Sequence, residues 1–264
     1  MLKPLSAVFA LGCLTLAAQN LQPRLNCENG GNNHNRLVNH CEMKEQTLGA
    51  PGGVMQIDPG TNGGVTVRGW DRPDVWLRAR IDAAAESENE ARMMVPQIRV
   101  HSGAGMIRAE GPQMDNNHNW SVSYEIFVPR NADISAKAHN GGIHIADIRG
   151  NIEFEAQNGG VTLQRLAGEV KGHTTNGGLT IELAGDRWDG RGMDVSTTNG
   201  GVKLGVPANY SAHIETSTVN GGVKTDFPVT IQGRIDREVK FDVGSGGATI
   251  RAVTTNGGVS VNRS

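Results

Sequence analysis

Three aspartates surround a tryptophan in a short glycine-rich segment, with Asp186, Asp189 and Asp194 flanking Trp188. Paired carboxylates hydrolyse glycosidic bonds and an indole ring can stack on a sugar, so this segment is a candidate polysaccharide-active site. That chemistry needs carboxylates on facing segments at a defined separation, which spacing along one loop does not establish. We therefore favour a polar loop within an insertion.

Residue types that bind metals are present without a metal-binding pattern. The aspartates of 186–194 lack EF-hand spacing, and the sequence has no Gly- and Asp-rich nonapeptide of calcium-binding β-rolls. Glu153 and Glu155 share one side of a predicted strand, where we expect a solvated face. Four histidines occupy different offsets within the repeat described below: His139, His144, His173 and His213. We predict no catalytic residue, no metal and no cofactor, and hence a non-enzymatic protein.

Two cysteines, Cys27 and Cys41, are predicted to form a disulfide that closes a short loop. Such a loop contributes about 3 kcal/mol by the chain-entropy argument. His34 and His40 lie inside it, so a Cys2His2 zinc site is the alternative. An oxidising compartment and the adjacent His40–Cys41 pair favour the disulfide.

The N-terminus predicts export. Lys3 precedes an apolar run from Leu5 to Leu16, and small residues occupy positions 17 and 18, as in a secretory signal peptide covering residues 1–18. The run is too short to span a bilayer, and no later stretch approaches the roughly 20 residues required. Lipid attachment at Cys13 is the alternative, disfavoured because the leucine usual three residues earlier is missing. The predicted location is the periplasm, the cell surface or the medium.

An internal repeat organises the chain after the cysteines and must position the aspartates, glutamates and the four histidines named above. Asn-Gly-Gly followed by an aliphatic residue occurs seven times, at Asn62, Asn140, Asn158, Asn176, Asn199, Asn220 and Asn256. From Asn140 the spacings are 18, 18, 23, 21 and 36. Aliphatic residues or Met recur six places before every one of these Asn residues except Asn62, three places after all seven, and five places after all except Asn220, with mostly polar or small residues between them. This period of two on both sides of a fixed segment predicts strand, turn, strand.

Two architectures fit the repeat. In a β-solenoid each repeat is one coil, equivalent residues stack about 4.8 Å apart, and stacked Asn amides bond along the axis. In an antiparallel meander or sandwich, Asn-Gly is a two-residue type I′ hairpin. Both use the tolerance of Asn and Gly for positive φ. We favour the solenoid because the same residues recur at the same places.

Composition and residue order set the remaining expectations. The chain has 264 residues, of which 36 are Gly and 4% are aromatic. Its formal net charge of -2 excludes a protein that binds nucleic acid through bulk positive charge. We predict a polar extension over residues 19–47 that holds the disulfide, and an all-β repeat domain over residues 48–264. The only helix predicted, which would cap the array, covers Ala83 to Met94 and ends at Pro96.

The repeated Asn-Gly-Gly-aliphatic segments behind a signal peptide resemble the DUF4097 family of adhesin-like, or toastrack, β-strand repeat domains. The resemblance covers roughly Glu42 to Ser264. It implies a β-helix-like fold, an envelope location and a role in adhesion or envelope-stress signalling, and it defines no catalytic residues.

Function follows from these expectations. We predict an adhesin-like or structural interaction module of the bacterial envelope, whose partner is an envelope protein or glycan. The first alternative is a partner domain in envelope-stress signalling, and the second is a polysaccharide-active β-helix enzyme.

Overall fold

Backbone hydrogen bonds join twenty β-strands into two sheets in the computed structural model, which describes residues 23–28, 37–103, 105–228 and 238–264. The predicted signal peptide (residues 1–18), Cys13 and His34 lie outside these residues. The strands are β1 (Val38–Leu48), β2 (Met55–Asp58), β3 (Val65–Trp70), β4 (Val75–Ala85), β5 (Arg99–Gly103), β6 (Met106–Glu110), β7 (Asn119–Pro129), β8 (Ile134–Asn140), β9 (Ile143–Ala146), β10 (Arg149–Asn158), β11 (Val161–Gln164), β12 (Ala167–Asn176), β13 (Leu179–Glu182), β14 (Gly192–Asn199), β15 (Val202–Val206), β16 (Ala212–Asn220), β17 (Val223–Thr225), β18 (Glu238–Val243), β19 (Thr249–Asn256) and β20 (Val259–Arg263).

The fold is all-β, with two ten-stranded sheets. Sheet A has the order β1-β4-β7-β3-β9-β11-β13-β15-β20-β17, and sheet B has the order β18-β16-β19-β14-β12-β10-β8-β2-β6-β5. The aliphatic residues at alternate positions of the repeat are buried in one core, as for Val161 and Leu163 at 1% exposure each. Burial of this alternating set is the main driving force for pairing the two sheets.

Each Asn-Gly-Gly segment is a corner between the sheets. The strand before it belongs to sheet B and the strand after it to sheet A, as with β10 and β11 on either side of Gly159 and Gly160. Strands of successive repeats pair in parallel and in register, with Asn158 opposite Asn176 and Val161 opposite Leu179. A two-residue hairpin at Asn-Gly is therefore not formed. Antiparallel pairing is confined to β1–β4–β7, β5–β6 and β16–β18 among the described strands.

The last repeat does not stack in chain order. Strands β19 and β20 lie between the repeat of β14–β15 and that of β16–β17. The spacing of 36 residues before Asn256 accommodates β18, which pairs antiparallel with β16 before the chain turns back. A Ser-Gly-Gly segment similar to the motif, Ser245-Gly246-Gly247, lies in the tight turn between β18 and β19, both of sheet B, and is therefore not a corner.

The helix is shorter than its sequence pattern predicted. Strand β4 continues to Ala85 because Ala83 and Ala85 are fully buried there, between β1 and β7. Helix α1 then covers Glu88–Met94, and Ser87 caps it by accepting a hydrogen bond from the Glu90 backbone N–H. A 3-10 turn, Val95–Gln97, follows. Tertiary pairing outweighed the helical preference of the alanines.

Glycine is required at all seven corners by close stacking, and at Gly63 and Gly257, with φ of 134° and 156°, by positive φ as well. Among the described residues, Asp147 and Arg165 are the non-glycine residues with positive φ, so the corner asparagines do not use it. The requirement is close stacking, because a Cβ on Gly159 would lie 2.0 Å from the Gly141 carbonyl oxygen of the neighbouring repeat. A Cβ on Gly160 would meet its nearest atom, the Gly178 carbonyl oxygen, at an ordinary 3.5 Å.

These two neighbouring glycines make a matched pair for a stability test. We expect Gly159→Ala to lower the free energy of unfolding by about 2 kcal/mol or more, because the stacked backbones must separate. Gly160→Ala should change it by less than about 1 kcal/mol. Urea denaturation measures both, and equal effects of the two substitutions would contradict the stacking explanation.

Candidate functional site

The seven corner asparagines form one ladder of side-chain hydrogen bonds. Each amide Nδ2 donates to the Oδ1 of its neighbour, in the spatial order Asn62, Asn140, Asn158, Asn176, Asn199, Asn256 and Asn220, with donor–acceptor distances of 3.0, 2.9, 2.8, 2.8, 2.8 and 2.7 Å. At one end Asn62 donates to Asn119 Oδ1 at 3.2 Å. Aligned amides of this kind polarise one another, as in cross-β ladders.

Buried threonines add a second line of bonds inside the corners. Four of them donate from Oγ1 to a glycine carbonyl of the adjacent repeat: Thr174 to Gly159, Thr197 to Gly177, Thr218 to Gly257 and Thr254 to Gly200, at 2.7–2.8 Å. The polar groups of the corners are thus committed to neighbouring repeats. The most regular motif in the sequence serves the architecture.

The aspartates around Trp188 do not converge. Trp188 is 6% exposed and donates from Nε1 to the Gly168 carbonyl oxygen at 3.0 Å, so its ring belongs to the core and cannot stack on a sugar. Asp189 pairs with Arg149, whereas Asp194 pairs with Arg251 on β19. The segment therefore lacks the facing carboxylates that glycoside hydrolysis requires.

Metal-ligating residues are also dispersed. In the described part of the chain, no three His, Cys, Asp or Glu side chains lie close enough together to hold a metal ion. His139 and His173 belong to sheet B and His144 to sheet A, while His213 pairs with Asp242 at 2.8 Å.

Glu153 lies in a row of alternating charges on the outer face of sheet B, and we call this row the charged row. Successive strands contribute Glu153, Lys171, Asp194, Arg251, Glu215 and Lys240, each opposite the next in the strand register. Strand β19 lies between β14 and β16 and places Arg251 between Asp194 and Glu215. If the repeats were stacked in chain order, these two acidic residues would stand opposite each other. Like charges directly opposite are destabilising, so this order removes a repulsion.

A second pair, Lys137 and Glu155, completes what we call the charged face, namely the charged row together with this pair. Their Nζ and Oε2 atoms are 3.3 Å apart and both side chains are exposed. The pair lines two adjoining clefts of about 360 and 270 Å³, which also hold Asp58 in one and Lys171 in the other. Exposed pairs add little stability, so this pattern is available for recognition.

A further cleft, of about 450 Å³, lies beside β2 and β6 and is lined by residues 48–55, 103 and 105–107. None of these lining residues is titratable. This cleft therefore has no side chain that could act as an acid or base or as a metal ligand.

The structure contains the predicted disulfide, with the Cys27 and Cys41 Cα atoms 5.7 Å apart. Cys41 lies in β1, which begins at Val38 and crosses the boundary placed between residues 47 and 48. His40 Nε2 lies 3.3 Å from Glu42 Oε1. Residues 38–47 of the predicted extension therefore belong to an edge strand of sheet A, paired with β4.

A buried ion pair that the sequence did not reveal holds the segment 23–28. Glu125, 2% exposed, accepts hydrogen bonds from the backbone N–H groups of Arg24 and Leu25 at 3.0–3.1 Å. It also accepts one from Arg78 Nη1 at 2.7 Å, and Arg78 Nε donates to Glu45 at 3.0 Å. Glu125 looks like an outer-face strand residue in sequence, but in the structure it is buried and bonded both to the segment 23–28 and to Arg78.

His144 occupies the outer face of sheet A beside several arginines. Burial lowers the pKa of its imidazole, and the charges of Arg68, Arg165 and Arg24 lower it further, against a smaller opposing effect of Glu182. The neutral ring is therefore favoured in the folded protein.

Comparisons with known proteins give similarity at the level of solved structures. No family model and no curated protein matches the chain. A "putative cell adhesion protein" from Clostridium sporogenes is 13% identical, with 84% of this chain and 100% of that chain covered and a TM-score of 0.41. A "putative adhesin" from Bacteroides fragilis is 12% identical, with coverages of 84% and 97% and a TM-score of 0.43.

A third structure, a "putative lipid binding protein" from Parabacteroides distasonis, is 10% identical, with coverages of 85% and 96% and a TM-score of 0.33. With TM-scores below 0.5, these similarities establish neither the fold nor the function of this chain. The described residues include no helix of the length and apolar character that crossing a membrane requires.

Position in the ladder should determine how much each asparagine contributes to stability. Asn176 both donates and accepts, whereas Asn220 at the end donates to Asn256. We expect Asn176→Ala to cost about 1–2 kcal/mol in the free energy of unfolding and Asn220→Ala about half as much. Chemical denaturation of the two variants tests this, and a larger loss at Asn220 would be inconsistent with a head-to-tail ladder.

The lowered pKa of His144 predicts a pH dependence of stability. Below its ordinary value of 6.5 the unfolded chain takes up a proton that the folded chain resists, so stability falls as pH decreases through this window. His144→Gln should therefore lose less melting temperature than the wild type between about pH 7.5 and about pH 5.5. The exposed His173→Gln is the control, and equal pH profiles for wild type and His144→Gln would refute the expectation.

Proposed function

We propose that this chain is an exported, non-enzymatic β-solenoid of the bacterial envelope that acts as an adhesin-like or structural interaction module. The observation that carries the proposal is the asparagine ladder. It commits the corners to structure and leaves two broad polar sheet faces as the surfaces available to a partner.

Strand pairing supports the solenoid assignment. Parallel, in-register strands bring each repeat against the next, and the chain alternates between sheets at every corner from β8 to β15. Stacking of one repeat on the next is the defining arrangement of solenoids, which present extended surfaces for binding. The resemblance to DUF4097 rests on the same repeats.

Export is supported by the cysteines. A disulfide between Cys27 and Cys41 persists in an oxidising compartment and is rare in the cytosol. It lies just after the segment that we interpret as a signal peptide, residues 1–18, with residues 19–47 as the extension that precedes the domain 48–264.

The charged face is the surface that we assign to partner binding. Positive and negative side chains alternate on this face. Such an arrangement favours a partner whose charges are complementary in position over a polyelectrolyte that carries charge of one sign. Lys137 and Glu155 line both clefts on this face and are the positions where a partner would detect a change in pattern.

A charge swap tests this assignment without changing net charge. In Lys137→Glu/Glu155→Lys the pair is kept and its polarity is reversed. We expect retention of the purified protein on isolated envelopes to fall about tenfold, because complementarity is worth about 1.4 kcal/mol or more at a recognised pair.

The control is the corresponding swap of Glu88 and Arg92, an exposed pair 3.0 Å apart on helix α1. It should bind envelopes like the wild type. Fractionation with N-terminal sequencing of the native protein tests export separately. Recovery in the cytoplasm with the N-terminal methionine, or equal retention of both swaps, would overturn the corresponding part of the proposal.

A further inference from the structure

Arginine and threonine side chains gather around His144 on the outer face of sheet A. Thr66, His144 and Thr162 stand opposite one another on β3, β9 and β11. Their neighbours along each strand, such as Val65 and Val67, are buried, so these three point outward. Arg68 lies on the same face, two residues after Thr66.

The N-terminal segment brings another arginine to this place. Its backbone at Arg24 is fixed to the Glu125 carboxylate, and Glu125 stands opposite Thr66 in the strand register. The disulfide at Cys27 ties the segment to β1. The turn after β11 supplies Arg165, which is bonded to Asp147 at 2.7 Å.

Positive charge exceeds negative charge here. The groups that act on His144 electrostatically are Arg68, Arg165 and Arg24 on the positive side and Glu182 on the negative side. The Glu125 carboxylate is already compensated by Arg78 and two backbone N–H groups, and Asp147 by Arg165, while Glu182 accepts a bond from Gln164.

Two of the guanidinium groups are available. Within the described residues, the side chains of Arg24 and Arg68 make no hydrogen bond or ion pair with a carboxylate. A guanidinium fork matches the oxygens of sulfate, phosphate or carboxylate groups, and hydroxyl donors complete such sites.

We propose that Arg24, Arg68 and Arg165, with the hydroxyls of Thr66 and Thr162, form a binding site for an oxyanion carried on an extended anionic polysaccharide. The proposal names a ligand class for the interaction module and so rests on the proposed function. It uses sheet A, opposite the charged face.

The outward-facing side chains across the rest of sheet A favour a polymer as the ligand. The row that begins at Thr66 continues across the sheet through Thr162, Thr180, Lys203, Ser260 and Lys224. Hydroxyl and ammonium groups thus repeat about every 4.8 Å beyond the arginines. Such a row suits a chain rich in hydroxyl and anionic groups.

The outer face of sheet A is not suited to binding a membrane surface. The exposed large apolar side chains of the described residues are Val54, Met93, Met106 and Val219, and none belongs to the strand positions of this row. Membrane-surface binding combines charge with apolar side chains that enter the lipid boundary. Lipid binding is therefore the outcome that would refute our choice of ligand.

The test uses the oxidised, exported protein with three probes: dextran sulfate, uncharged dextran and vesicles containing anionic lipid. We expect binding to dextran sulfate alone. Arg68→Gln should weaken binding of dextran sulfate about tenfold, since one bidentate contact is lost. The affinity of Arg68→Lys should lie between those of the wild type and Arg68→Gln, because lysine keeps the positive charge without the two-pronged guanidinium group. Arg92→Gln, at an exposed arginine on helix α1 outside both proposed surfaces, is the matched control and should bind like the wild type.

A second readout locates the site. Binding of dextran sulfate should move the NMR signals of the His144 ring and raise its pKa, because an adjacent anion stabilises the imidazolium. Unchanged His144 signals, equal binding by Arg68→Gln and wild type, or preference for vesicles would overturn the proposal. Envelope retention and its charge swap on sheet B report on the proposed function independently, so either idea can fail alone.

Discussion

Contact between the backbones of neighbouring repeats at the Asn-Gly-Gly corners is the constraint on which the rest of the structure depends. At Gly159 and its equivalents the next repeat approaches so closely that a side chain has no space. The asparagine that precedes each glycine can then bond its counterpart at 2.7–3.0 Å. Once the corners are in register, the aliphatic residues on both flanking strands are in register as well.

Stacking of the repeats in register explains why the inner and outer faces of the sheets differ in residue composition. Inside, aliphatic residues stack on aliphatic residues and exclude water, which supplies most of the driving force. Outside, stacking identical residues would place like charges together at about 4.8 Å, and the sequence avoids this by varying outer positions between repeats. The charged row is the clearest case, because Arg251 separates Asp194 from Glu215.

In the described part of the chain, elements that break the repeat form three of the four sheet edges, namely β1, β5 and β18, and the repeat strand β17 forms the fourth. Beyond β3, sheet A continues with β7, which pairs in parallel, and then with β4 and β1, which pair antiparallel, while β18 covers β16 at the far end of sheet B. Closing strands of this kind reduce edge-to-edge aggregation, the hazard of any open stack. The disulfide-linked segment adds a cover on sheet A, where Glu125 and Arg78 are buried together. The departures from the repeat are therefore where individual side chains acquire unusual surroundings.

The sequence by itself determined what is local and repeated. The period of two around each Asn-Gly-Gly identified the strands and the buried aliphatic positions, and the presence of two cysteines in a chain expected to be exported indicated their pairing. These predictions succeed because alternation and turn preference act within a few residues of the chain. The tertiary structure alone decided the order of the repeats, the extension of β4 through Ala83 and the burial of Trp188 and Glu125. Each of these depends on which distant strand or segment lies alongside, and the interaction energies between distant residues leave no periodic trace in the sequence.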